Sequence, residues 1–198
     1  MGERKGRNFI LWLDLECTGS GDDEDILEIG VAMTNKELDV LDTRQIVLPM
    51  MPDKLENMSE VVVKMHTQNG LISDSMQIGF YKNDMDKDMN LAQIDEELSR
   101  WVRSFAGGDH VPLAGSGVSH YDRKYIRRDL PLFDKRLTYW TFDVGVLRRT
   151  SEMFGITWPE FHFTKTHRAL DDALQHLEEF KRYESYMEKA KRSIGAKM

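Results

Sequence analysis

The sequence predicts an α/β fold, with a mixed central sheet opened by three consecutive antiparallel strands and flanked by helices. Three observations carry this. The run Phe9-Ile-Leu-Trp-Leu13 has the unbroken hydrophobicity of a central strand buried on both faces. Segments 26–34 and 38–48 read as two more strands, and the polar break Asn35-Lys36-Glu37 between them suits a hairpin. Helical periodicities then alternate with further strand signals, the order expected of an α/β sheet rather than of a bundle or a sandwich.

Each later element has its own signal. Ser59-Glu60-Val61-Val62-Val63 begins a helical pattern leading towards Lys64-Met65-His66, and Leu71-Ile72 opens another short apolar segment. Leu91, Ile94, Leu98, Trp101, Val102 and Phe105 recur at spacings of three and four, an amphipathic helix stopped by Gly107-Gly108. Residues 111–114 read as a strand entering the turn Gly115-Ser116-Gly117, and a helix containing Tyr125 and Ile126 follows. Asp143 has the character of a helix N-cap. Leu170, Ala173, Leu174, Leu177 and Phe180 form the apolar stripe of a last helix, with Glu178, Glu179, Lys181 and Arg182 on its other side. One domain over 1–198 is expected, with 1–7 and about 193–198 as flexible tails. Met50 and Met51, and the segment 85–89, sit in contexts too polar to be assigned to the core.

The bulk composition narrows the function classes. A net charge of −7 argues against a protein that coats duplex nucleic acid, but not against one that handles it through bound cations. Basic residues concentrate between 119 and 150, where eight of them face four acidic ones, an asymmetry that could guide a phosphate backbone or simply solvate helix faces. The single cysteine, Cys17, cannot form an internal disulfide and reads as a small buried side chain. The apolar run after the basic start is too short for a signal peptide, and no stretch reaches the roughly 18 apolar residues of a membrane span. A cytoplasmic, reducing location is expected.

Five residues could carry chemistry. Asp14 and Glu16 lie at the end of the first strand, and residues two apart project to the same face. Two such carboxylates repel unless protonated or bridged by a cation, and oxygen-only ligands suit Mg²⁺ or Mn²⁺. A D-x-E triplet is also how an ordinary acidic loop begins. Asp122 follows a strand and a glycine turn, where an α/β sheet delivers ligands to a crevice, yet it reads equally as a helix N-cap. His167 and Asp172 are five residues apart, about 500° of helix, so His167 belongs in the loop before the last helix and Asp172 in its first turns. Helical phase does not choose between Asp171 and Asp172.

Asp14-Leu-Glu16-Cys-Thr18-Gly19, Tyr121-Asp122 and His167-Arg-Ala-Leu-Asp-Asp172 together resemble the three motifs of the DEDDh 3′→5′ exonucleases, a superfamily with an RNase H-like fold. Glu28-Ile29-Gly30, Lys64-Met-His66-Thr67, Leu113-Ala114-Gly115 and Phe142-Asp143-Val144 extend the likeness towards oligoribonuclease, over residues 8 to about 186. The resemblance implies two divalent cations held by Asp14, Glu16, Asp122 and Asp172, and His167 as general base. It selects Asp172 over Asp171. It further implies substrate contacts at Thr18, Gly19 and His66, a homodimer in which Tyr139 reaches the partner's site, and short single-stranded RNA or DNA with a free 3′ end as substrate. The sequence departs from the family pattern at Ser20 and Val61, where a leucine and an aromatic wedge the bases, and at Trp140 and Gly145, where the partner caps the 5′-phosphate. Ser116 or Gly117 stands where the second motif usually has asparagine. Longer substrates than dinucleotides are therefore expected to be accepted.

Overall fold

The computed structural model describes residues 5–81, 90–156 and 165–195. A 3-10 turn, Lys5–Asn8, leads into strands β1 (Phe9–Cys17), β2 (Ile26–Asn35) and β3 (Val40–Val47). Helices α1 (Pro52–Leu55), α2 (Glu60–Gln68), α3 (Leu71–Tyr81) and α4 (Leu91–Ala106) follow, then strand β4 (Val111–Gly115). Helices α5 (Asp122–Asp129) and α6 (Pro131–Asp134), strand β5 (Leu137–Asp143), and helices α7 (Val144–Phe154) and α8 (Ala169–Gly195) complete the chain.

The strands form one sheet in the order β3-β2-β1-β4-β5. β1 and β3 both run antiparallel to β2, while β4 is parallel to β1 and β5 parallel to β4. This is the mixed sheet with an antiparallel three-strand opening that the sequence implies. The turn between β2 and β3 is tied by Asn35, whose side-chain oxygen accepts the Asp39 N–H at 2.8 Å. β5 has no signal in the sequence: it is an outer strand, mostly exposed or half-buried, so it lacks the apolar run that marks β1.

β1 is longer than its apolar run. Pairing with β2 continues through Asp14↔Gly30 and Glu16↔Glu28, so the two acidic residues are inside the strand and not in a loop after it. Side-chain alternation divides the strand between two cores. Leu11, Leu13 and Leu15 face a large cluster that includes Leu98 and Val102 of α4 and Tyr125 and Ile126 of α5. Ile10 and Trp12 face the other way, against Leu174, Leu177 and Phe180 of α8. Trp12 is fully buried, with its indole N–H on Thr34 Oγ1 at 3.1 Å and its ring 5.4 Å from that of Phe180. Asp14 and Glu16 continue this second face, and α8 thereby carries Asp172 to them.

Several expectations need correcting. Within the expected N-terminal tail, the Gly6 N–H donates to Asp109 Oδ2 at 3.1 Å, and a Cβ there would meet the His110 carbonyl oxygen at 2.3 Å. At the other end α8 runs past Arg192 to Gly195. Glu179 does not sit on a solvated face. It is buried, accepting from Arg148 at 2.6 Å and from the Tyr183 hydroxyl at 2.9 Å. Met50 is buried beside Leu27 and Leu71, Met51 is exposed, and residues 85–89 lie outside the described residues. Among the described residues, no helix is long and apolar enough to cross a membrane.

Candidate active site

The sheet opens where β1 outruns β4. The parallel pairing includes Leu11↔Leu113 and Trp12↔Ala114. Further along β1 the Leu15 N–H is taken by a side chain, donating to Asp122 Oδ1 at 3.0 Å. Asp122 is the first residue of α5, and the N-cap position belongs to Tyr121, which makes no side-chain cap bond. The capping alternative for Asp122 thus fails: its carboxylate reaches across to β1.

A cleft of about 500 Å3 lies at this end of the sheet. Asp14 and Glu16 from β1, Asp122 from α5, Asp172 from α8 and His167 from the segment before α8 all line it. Glu16, His167 and Asp172 offer ligand atoms within 4.8 Å of one another. Asp172 is buried whereas Asp171 is exposed, so burial makes the choice that helical phase could not. His167 stands two residues before α8 in a left-handed backbone conformation, φ 52°, rare for a residue with a Cβ.

The carboxylates are crowded and largely buried. Burial, with Asp172 next in effect, pushes the Glu16 carboxyl up to about 8. Burial raises Asp122 to about 7, although the Leu15 N–H and its own backbone N–H hold it down in part. Asp14 is also raised well above the ordinary carboxylate range, by burial first and then by Asp122, Glu16 and Asp172. Asp172 is raised by burial against the opposing charges of Lys165 and His167. Its Oδ1 is buried with no hydrogen-bond partner among the described residues. An oxygen-only donor set that disfavours its own ionisation, with one acceptor left unpaired, fits hard divalent cations.

The other expected residues fall less neatly. Thr18 lines the cleft, but its hydroxyl donates to Glu24 Oε2 at 2.5 Å and accepts from the Asp25 N–H at 3.0 Å, so it fastens the loop. The Gly19 carbonyl accepts the Tyr121 hydroxyl at 2.7 Å, and a Cβ on Gly19 would strike Glu24 Oε1 at 2.6 Å. His66 is neither in a loop nor open to a substrate: it is fully buried in α2, 3.2 Å from the Cys17 carbonyl oxygen and 3.7 Å from Glu16 Oε2. Tyr139 is away from the cleft, 90% exposed on β5. Cys17 is buried and its thiol pushed up, by burial first and then by Asp122, as its inert reading requires.

The basic cluster between 119 and 150 is largely spent on the protein itself. Arg123 is buried on Asp134, Arg148 pairs with Glu179, and Lys124 and Arg128 hold loop carbonyls of Ser20, Gly21 and Asp22. The cation that does attend the site is Lys165, which lines the cleft and lowers all four carboxylates. Sequence reasoning passed over it, although its place two residues before His167 was visible. His176 was also missed. It is buried one turn beyond Asp172, with Nδ1 4.0 Å from Asp14 Oδ1, and burial lowers it to about 4.

Comparison with known proteins agrees with this geometry. No protein-family model matches the chain. Oligoribonuclease of Francisella tularensis (strain WY96-3418) is 28% identical over 176 residues, covering 88% of this chain and 93% of that one. A Dictyostelium discoideum protein named "Probable oligoribonuclease" is 29% identical over 185 residues, covering 92% and 91%. Among solved structures, E. coli exonuclease I in complex with a 5cy-dA13 oligonucleotide superposes with TM-score 0.58 at 14% identity. The zinc-ion-bound ExoI–ssDNA complex gives 0.64, also at 14%. These cover 89% and 90% of this chain, which spans only 40% of theirs, and they show a shared RNase H-like fold. Over most of its length, then, the chain is similar in sequence to oligoribonucleases, and it shares the RNase H-like fold of exonuclease I.

Proposed function

We propose that this chain is a two-metal-ion 3′→5′ exonuclease that removes 5′-mononucleotides from short single strands of RNA or DNA. The observation that carries the proposal is the meeting of Asp14, Glu16, Asp122, Asp172 and His167, from three elements and a loop, in one cleft. Asp14, Glu16, Asp122 and Asp172 would hold two divalent cations, Mg²⁺ or Mn²⁺. When bound, such ions supply Lewis-acid activation of the phosphodiester, of the attacking water and of the leaving oxygen. The chain's own residues do the rest. His167 accepts a proton from the water as its oxygen attacks phosphorus, and the bond from phosphorus to the 3′-oxygen breaks. The carboxylates would position the cations against the phosphate and, with Tyr121 and the Thr18–Gly21 loop, narrow access for other water.

Two finer readings rest on specific observations. Val61 is 76% exposed and Ser20 is exposed, so no bulky side chain stands at the positions that confine oligoribonucleases to the shortest substrates. This favours strands longer than dinucleotides. The outer strand β5 carries the exposed Tyr139 beside a cavity of about 660 Å3 that Trp140 also lines, which supports a homodimer using this edge. The lone cysteine suits a cytoplasmic setting.

The test is incubation with 5′-labelled RNAs of two to twenty nucleotides, with Mn²⁺ or with EDTA, alongside His167→Ala. Metal-dependent laddering from the 3′ end, strongly slowed in the variant, is the expected result, with seven-nucleotide RNA turned over at least as fast as the dinucleotide. A strong dinucleotide preference would overturn the length reading. Metal binding without cleavage at any length would point instead to a binding module.

A further inference from the structure

His167 owes its position to groups that do not line the carboxylate end of the cleft. The N-terminus of α8 lies directly on β2 at Gly30, where an added Cβ would come within 2.1 Å of the Ala169 carbonyl carbon. Beside it, the fully buried Glu28 carboxylate accepts the Ala169 N–H at 2.8 Å and two nitrogens of Arg168, Nη2 at 2.8 Å and Nε at 3.1 Å. Gln45 Nε2 also donates to it at 2.7 Å. A buried carboxylate left without its partner is strongly destabilising, so Arg168 is held in place. The guanidinium's remaining arm, Nη1, reaches Asp74 Oδ2 at 2.9 Å and the Asn69 carbonyl oxygen at 3.4 Å.

Asn69 closes the frame. Its side-chain amide donates to the His167 carbonyl oxygen and, at 3.4 Å, to that of Thr166, while its own Oδ1 accepts the Leu71 N–H at 3.0 Å. Residue 167 is therefore held on both sides. Its carbonyl is fixed by Asn69, and the next side chain and the next-but-one amide are fixed by Glu28. Between these points the backbone adopts its left-handed turn, which a residue with a Cβ disfavours and which persists only where the surroundings impose it. The turn sends the imidazole towards Glu16 and Asp172.

We infer that Arg168 and Asn69, anchored by Glu28 and Asp74, are positioning residues that set the imidazole of His167 for proton transfer. The inference rests on the reading of His167 as the proton acceptor. Arg168→Lys keeps the charge and loses the fork that engages two carboxylates at once. It is expected to lower kcat on the order of 10- to 100-fold, as a misplaced reacting group does. KM and the affinity for Mn²⁺ alone, read by titration, are expected to stay near those of the parent protein. Asn69→Ala, which leaves the buried ion pair intact, is expected to move the same quantities in the same direction.

The decisive measurement puts each change into a His167→Ala background, with rates taken per folded molecule after thermal unfolding of every variant. If these residues act through His167, their penalties disappear there. Penalties that persist in full, or a loss of Mn²⁺ affinity matching the loss of kcat, would overturn the inference and leave a purely structural ion pair. If His167→Ala itself keeps full activity, the proton-acceptor reading has failed and takes this inference with it.

Discussion

Two adjacent aspartates on α8 show how much depends on a single 100° step. Asp171 points to solvent, and Asp172 is buried in the cleft. Asp172→Ala is expected to lower activity at least 100-fold, since even groups one step removed from a metal carry 10- to 100-fold effects, while Asp171→Ala stays near the parent rate. Steady-state rates at saturating Mn²⁺ check both. The carboxylates also set a pH dependence on the metal-free protein. Glu16 titrates at about 8 in the fold against an ordinary 4.5, so the folded state holds the proton more tightly than the unfolded chain. Its contribution is present below about 4.5 and lost as pH rises towards 8. In EDTA, Tm is expected to fall across that window, and added Mn²⁺ is expected to raise Tm more at pH 8 than at pH 5.5. A metal effect independent of pH would argue against these carboxylates as the ligands.

At the scale of elements, the contact of α8 with β2 decides whether the site exists. Gly30→Ala must push the helix terminus away from the strand, because the obstructing atoms are backbone and cannot swing aside. Overpacking of this kind costs about 1–3 kcal/mol. Urea unfolding should report that loss, together with a drop in kcat as Asp172 and His167 shift away from Glu16. The periodic elements, β1, α4 and α8, could be read from the sequence because each must bury an apolar face and cannot do so without showing its period. What escaped reading was polar burial. Asp95 looks like one more solvated acid on α4, yet it accepts the N–H groups of Leu132 and Phe133 at 2.9 and 2.7 Å and so caps α6. Glu179, Arg123 and His66 are further examples. Asp95, Glu179 and His66 each have a partner 31 or more residues away, and no local pattern records such a bond. The five cleft residues were legible for another reason: they fall in three short motifs whose order along the chain could be read together. His176, inside α8, had no such marker.

For the molecule as a whole, the outer edge at β5 separates one working arrangement from another. Should the chain pair there and lend Tyr139 to its neighbour, two crippled proteins can complement each other. Asp14→Ala supplies an intact Tyr139, and Tyr139→Ala supplies an intact cleft. Mixed and allowed to exchange subunits, they are expected to recover roughly one quarter of the parent activity, because half of the dimers are mixed and each mixed dimer has one complete site. Sedimentation of the parent protein should show the corresponding dimer. No recovery, with a monomer in sedimentation, would assign Tyr139 to some other contact. The amide of Leu15, given up by the sheet to Asp122, has a consequence of a different kind. It makes the cleft self-reporting. That N–H is buried against a carboxylate proposed to hold the cations, so its NMR resonance should shift with each equivalent of Mg²⁺. Occupancy could then be followed in the unmodified protein, one backbone atom serving as the gauge.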